Sequence, residues 1–140
     1  EVDMINAVEQ ATGVRPSETY LGDINLFAVF DNEDNVSNMT PNFDAVSKLD
    51  GQGLIISSSS NQYDFVSRYF CPKYGINEDP VTGSAHTTLI PYWSEKLNKI
   101  SLEAKQVSKR GGELFCENTD NRVLIGGNAV LYMKGVIEID

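Results

Sequence analysis

The sequence predicts a mixed α+β domain, with about seven strands and one principal helix set between the early and the late strands. Three observations carry that reading. Short apolar, β-favouring runs recur along the chain between turn residues. Residues 84–97 place Leu89, Ile90, Trp93 and Leu97 at the i, i+1, i+4, i+8 spacing of a buried helical face. No linker or repeat divides residues 1–140, so the chain reads as a single domain. A domain of this length buries roughly two thirds of the surface its unfolded chain exposes, enough for a core without staples.

The elements follow in order. Val2, Ile5, Val8 and Ala11 share one helical face, and Gly13 with Pro16 beyond it stops that short helix. Residues 25–31, NLFAVFD, form a compact apolar run bounded by Gly22-Asp23 and by an acidic turn at residues 32–35, which predicts a buried strand. Thr40 then reads as an N-cap with Pro41 at the first helical position, and Gly51 as the end of that helix. Residues 53–57 and 64–71 read as two further strands, joined by SSSSNQ as a surface turn. After the principal helix come four β-rich runs, SLEAKQVS, ELFCEN, RVLIGG and AVLYMKGVIEI, with hairpin-like turns at Gly111-Gly112 and Asp120-Asn121.

Charge and composition narrow the function. A net charge of −9 repels a phosphate backbone unless the cations cluster, and here they are scattered from Arg15 to Lys134, so nucleic acid is not an expected partner. No apolar run approaches the roughly 20 residues that span a bilayer, so no membrane is expected either. The first residues carry acids in place of a basic, then apolar, signal sequence. Cys71 and Cys116 match neither a CxxC motif nor a zinc spacing, which predicts two reduced core thiols of a cytoplasmic protein. Because the first residue is Glu1 and not Met, the chain is expected to be cut from a longer one.

One segment, residues 75–86, GINEDPVTGSAH, carries chemistry. Two acids, a stiffening proline and a Thr-Gly-Ser tripeptide lead straight into the principal helix. The first N–H groups of a helix have no intrahelical acceptor, and the helix dipole adds partial positive charge. Glycine lets a ligand approach the main chain. A carboxylate or phosphate could dock at Gly83, Ser84 and Ala85, with Asp79 accepting, donating or holding a proton beside it. The same residues also suit an ordinary N-cap and a solvated turn. His86 is the only histidine, too few ligands for a metal, and Ser84 and His86 are two apart on one helix, which suits no Ser-His-Asp triad.

Residues 78–86, EDPVTGSAH, with Tyr92-Trp93 following, resemble the central signature of the PhzF-like phenazine-biosynthesis family, which shares the diaminopimelate-epimerase-like fold. Gln106-Val107-Ser108, the run from Arg110 to Leu114, Arg122-Val123 and the glycines Gly126-Gly127 continue the likeness, as do Arg68, Tyr69, Phe70, Pro72 and Gly75 upstream. The resemblance implies two similar halves, each a strongly curved sheet wrapped around a central helix, with the active site between them. This chain would be the C-terminal half.

What the resemblance implies about activity is a cofactor-independent isomerase moving a proton on a small carboxylate metabolite. Asp79 and Ser84 would be the catalytic positions, and Glu78, Gly83, Ala85 and His86 would bind substrate. No metal or cofactor is implied. The main proton-shuttling glutamate would lie in the N-terminal half, so that half is an expected partner, and the fragment alone is expected to be inactive. A homodimer is compatible with the reading. Ser84 stands where diaminopimelate epimerases carry a catalytic cysteine, which disfavours epimerisation by a cysteine pair. Two alternatives stay open: an inactive module that binds small carboxylates, and a scaffold domain acting through its surface.

Overall fold

The computed structural model describes residues 2–119 and 121–139. Eight strands form one sheet: β1 (Glu18–Leu21), β2 (Leu26–Val29), β3 (Leu54–Ser59), β4 (Phe65–Phe70), β5 (Glu78–Asp79), β6 (Ser101–Gln106), β7 (Gly112–Asn118) and β8 (Val123–Gly126). Their order is β1-β2-β3-β4-β6-β7-β8, with β5 attached to β4. The β2–β3 and β4–β6 pairs are parallel and the rest antiparallel, which makes the sheet mixed.

The long helix α4 (Gly83–Leu97) lies against one face of this sheet. It touches both ends of the strand order: Tyr92 donates a hydrogen bond to Glu18 on β1, and Val123 on β8 packs into the cluster that holds Leu89, Ile90 and Trp93. A single helix reaches both ends only if the sheet curves around it. Leu89 and Ile90 are fully buried and Trp93 nearly so, as the helical spacing predicts, while Leu97 packs partly buried at the edge. Three short helices cover the opposite face over β2 to β4: α1 (Ile5–Thr12), α2 (Glu33–Ser37) and α3 (Phe43–Val46). Val8, Val36, Met39 and Val46 meet Leu26, Ile56, Val66 and Phe70 there in a second core. Gly13 ends α1 in the left-handed conformation, as expected.

Several elements differ from the expectation. The acidic turn at residues 32–35 is the start of α2, because Asn32 accepts a hydrogen bond from the Asn35 amide at 3.0 Å and caps the helix. The N-cap of α3 is Asn42, two residues past Thr40, and that helix stops at Val46. Gly51 serves a close approach instead: its φ is +79°, and a Cβ would lie 2.8 Å from the Leu26 amide nitrogen. Strand β3 runs through the first three serines, and Ser57 and Ser58 are buried; only the end of SSSSNQ is a turn. Ser57 accepts from the Trp93 indole at 2.9 Å and donates to the Val66 carbonyl, so the serine is a polar rivet between sheet and helix. The run AVLYMKGVIEI forms no strand: residues 127–139 carry no regular structure, and no strand edge among the described residues pairs with them. In the Asp120-Asn121 turn, Asp120 lies outside the described residues.

Candidate functional site at the start of α4

The segment before α4 is fixed on both sides. Antiparallel pairing sets Asp79 beside Tyr69 and Glu78 beside Phe70. Alternation along the strand then sends the two acids to opposite faces. Glu78 makes a two-pronged ion pair with Arg68, at 2.7 and 3.0 Å, and the same guanidinium donates to the carbonyls of Val36 and Met39. Its carboxylate is therefore engaged in tying α2 to the sheet. Asp79 stays beside the helix start, where its Oδ2 accepts from the Thr82 hydroxyl at 2.5 Å.

Gln106 and Ser108 clamp the other side. The Gln106 Oε1 accepts from the Thr82 amide at 2.8 Å, and its Nε2 donates to the Asp79 carbonyl at 2.8 Å and to the Thr82 hydroxyl at 3.1 Å. Ser108 donates to the Pro80 carbonyl at 2.7 Å and accepts from the Gly111 amide at 3.0 Å. The β6–β7 hairpin is thereby locked onto the loop from Asp79 to Thr82. Gly112 completes the fit, since a Cβ there would lie 2.6 Å from a Val81 methyl group.

This clamp has a consequence for the helix. Thr82 occupies the N-cap, yet makes no side-chain cap, because its hydroxyl is committed to Asp79 and Gln106. The amides of Gly83, Ser84 and Ala85 are left without an intrahelical acceptor or a capping oxygen. Partial positive charge gathers there. Gly83 and Ser84 are exposed, and a Cβ at Gly83 would meet no atom within 4 Å. Gly83 borders a recess of about 670 Å³ with Arg110, Gly112 and Gly127. Ser84 borders a second, of about 380 Å³, with Asn25, Tyr69 and Tyr74.

Ala85 is buried, so only its amide can face a ligand. His86 is fully buried beneath the first turn. The Thr82 carbonyl can only accept, so His86 Nδ1 carries the proton and donates to it at 2.7 Å; the ring lies beside Phe65. Burial pushes its pKa below the ordinary histidine value, which keeps the ring neutral. The structure thus sets half-buried Asp79 against Thr82 at the start of α4, leaves Gly83 and Ser84 exposed on two neighbouring recesses, and keeps Glu78 and His86 away from solvent at that start, Glu78 paired with Arg68 and His86 fully buried.

Sequence reasoning missed Thr82 and Gln106 as parts of this arrangement. Their signal was present: Leu102, Ala104 and Gln106 alternate onto the buried face of β6, and a glutamine in such a row needs partners. Burial raises the pKa of both thiols, that of Cys116 to about 11, so neither is poised as a thiolate. Among the described residues no three His, Cys, Asp or Glu side chains gather to hold a metal ion.

The sequence matches the model of the phenazine biosynthesis-like protein family, PhzC-PhzF, over residues 3–135. An uncharacterised isomerase of Pseudomonas aeruginosa is 45% identical over 139 residues, 99% of this chain and 53% of that protein. The crystal structure of a PhzF-family protein from Enterococcus faecalis superposes with a TM-score of 0.90 at 50% identity, covering 96% of this chain and 52% of that one. A putative PhzC/PhzF protein from Clostridium difficile gives a TM-score of 0.83 at 45% identity, covering 99% of this chain and 53% of that one. The chain spans about half the length of the relatives it matches.

Proposed function

This chain belongs to the phenazine biosynthesis-like (PhzC-PhzF) family, whose fold is of the diaminopimelate-epimerase type, and from that premise we propose that it forms one wall of a cofactor-independent isomerase site. The reaction is the movement of a proton on a small carboxylate metabolite. The observation that carries the reading is the uncapped start of α4 beside a fixed carboxylate: Thr82 turns its hydroxyl to Asp79 and leaves the Gly83, Ser84 and Ala85 amides free. Relatives named as isomerases support the reaction class.

In this reading the substrate carboxylate takes the free amides, with the Ser84 hydroxyl as a further contact. Bound there, it lies at the end of the helix where partial positive charge also stabilises negative charge developing as the C–H proton leaves. Asp79 Oδ2 is held by Thr82, so the Asp79 carboxylate keeps a fixed orientation, and its other oxygen is available to hold a substrate hydroxyl or amine, or to exchange a proton. Glu78 and His86 touch no substrate in this reading: Glu78 is held by Arg68 on the far face, and His86, fully buried, fixes the Thr82 carbonyl at the helix start. The principal base comes from an opposite wall, which the unmatched half of the longer relatives supplies; this chain is the C-terminal half of such a protein, and acts in the cytoplasm.

The test uses this chain joined to the half that its relatives carry. Asp79→Asn should cut turnover at least about 100-fold with a small change in carboxylate binding. Gly83→Val should weaken binding itself, because a branched side chain blocks approach to the amides. Carboxylate binding without any turnover would reassign the protein as a binding module. Wild-type turnover in both Asp79→Asn and Ser84→Ala would remove the site assignment.

A further inference from the structure

We infer that the recess beside Ser84 receives the end of the substrate remote from its carboxylate, and that Asn25 selects a neutral carbonyl group there. The substrate class is then a carboxylate that also carries a ketone or an amide. The inference rests on the proposal that the carboxylate takes the free amides of α4, and it names what that site selects.

The recess, of about 380 Å³, lies between the β1–β2 turn, Tyr69 of β4, Tyr74 and the first two turns of α4. Ligand sites start near about 300 Å³, so a space of this size suits one end of a molecule whose charged end sits at the helix start. Its walls are held from outside. The Gly22 amide donates to the Asn25 carbonyl at 2.9 Å, and the Gln52 amide donates to the Ile24 carbonyl at 2.7 Å, which ties the turn to the loop before β3. Lys73, next to Tyr74, donates to the carbonyls of Leu49 and Gly51 in that same loop. Both rims are therefore fixed before a ligand arrives.

Tyr69 supplies the orientation of Asn25. Its ring lies against Gly53, where a Cβ would come within 2.6 Å of two ring carbons, and only 6% of the residue is exposed. The Tyr69 hydroxyl donates to Asn25 Oδ1 at 2.8 Å, and burial pushes its pKa up to about 12, so it stays a donor. The oxygen of the Asn25 amide is thereby turned to Tyr69. Its Nδ2 protons meet no protein acceptor among the described residues, so the side chain offers the recess donors. A carbonyl oxygen, which only accepts, is the matching group, and the Ser84 and Thr88 hydroxyls line the same space and can donate to it as well. An ammonium group would face N–H donors. A second carboxylate would face exposed Asp23 on the rim, with no lysine or arginine in the lining to offset it. An alkyl end would strip water from the amide and return no hydrogen bond.

The experiment titrates the isotopically labelled chain with levulinate and its next two longer keto-acid homologues, and with the alkyl carboxylates of equal length. At least one keto acid should bind about 10-fold tighter than its alkyl partner and should alone shift the Asn25 side-chain NH2 resonances. Both kinds of acid should shift the Gly83, Ser84 and Ala85 amides. Asn25→Asp keeps an acceptor for Tyr69 and removes both donors, so it should equalise the two affinities. Equal affinities throughout in the wild type, with the three helix amides still shifting, would overturn this inference and leave the carboxylate site standing; that comparison decides the matter even if the variant does not fold. A keto-acid preference that survives in folded Asn25→Asp would overturn it too. No shift at the three helix amides with any acid would sink both readings together.

Discussion

Thr82 carries a hydroxyl of the type that ordinarily caps a helix, and its diversion to Asp79 is what leaves three amides open at the start of α4. Gln106 maintains that diversion by satisfying the Thr82 amide and the Asp79 carbonyl at once. Gln106→Leu keeps the bulk but strands both backbone groups, so stability should fall by about 1–3 kcal/mol in urea titration. Gln106→Glu should retain the bond to the Thr82 amide and lose the donor to Asp79, giving an intermediate effect. Most of the residues of the candidate site could be read from the sequence, because a Thr-Gly-Ser tripeptide before an apolar helix announces a helix start. The roles of Thr82 and Gln106 could not, since strand register, not local sequence, brings residue 106 to residue 82.

At the scale of elements, α4 was legible because its apolar face recurs at helical spacing from Leu89 to Leu97, more than two turns, and length is what makes periodicity decisive. The shorter pieces were not. Strand β1 pairs with the neighbouring β2, but its four residues are too few for a readable alternation, and Glu18 finds Lys96 and Tyr92 only through the fold. The serines of β3 read as a turn because a buried serine depends on acceptors such as the Val66 carbonyl, which only pairing supplies. The run 129–139 was read as a strand from its residues alone and forms none within this domain, where no sheet edge receives it. Helix α4 also contains Pro91, exposed on the face away from the core. Pro91→Ala restores an N–H opposite the Thr87 carbonyl without disturbing packing, and should raise stability by about 1 kcal/mol in thermal or chemical unfolding. Leu89→Ala, on the buried face, should lower it by about 2–5 kcal/mol.

Across the whole molecule, curvature brings the first strand of the sheet onto the helix that the later strands also enclose. Glu18 fastens that closure, accepting from Lys96 at 2.6 Å, from Tyr20 at 2.7 Å and from Tyr92 at 2.8 Å. The Lys96 bond foremost, then the tyrosines, hold its pKa down at about 2 from an ordinary 4.5. A depressed folded pKa contributes stability that is complete above the unfolded value and is lost as pH falls from about 4.5 towards 2. Unfolding free energy measured across that window should drop for the wild type and drop less for Glu18→Gln. The domain's fold class was evident in its alternating runs and single long helix, and α1 in its apolar face, whereas α2 and the start of α3 depended on caps at Asn32 and Asn42 that many asparagines could have made.

The proposed site rests on a small carboxylate docking on the free amides at the start of α4 beside Asp79. Amide-resolved nuclear magnetic resonance of the isotopically labelled chain, titrated with acetate, tests it without requiring turnover or the true substrate. Saturable shifts centred on the Gly83, Ser84 and Ala85 amides are expected, retained in Ser84→Ala and abolished in Gly83→Val. Unchanged resonances at these three amides, or equal shifts in the Gly83→Val protein, would contradict it.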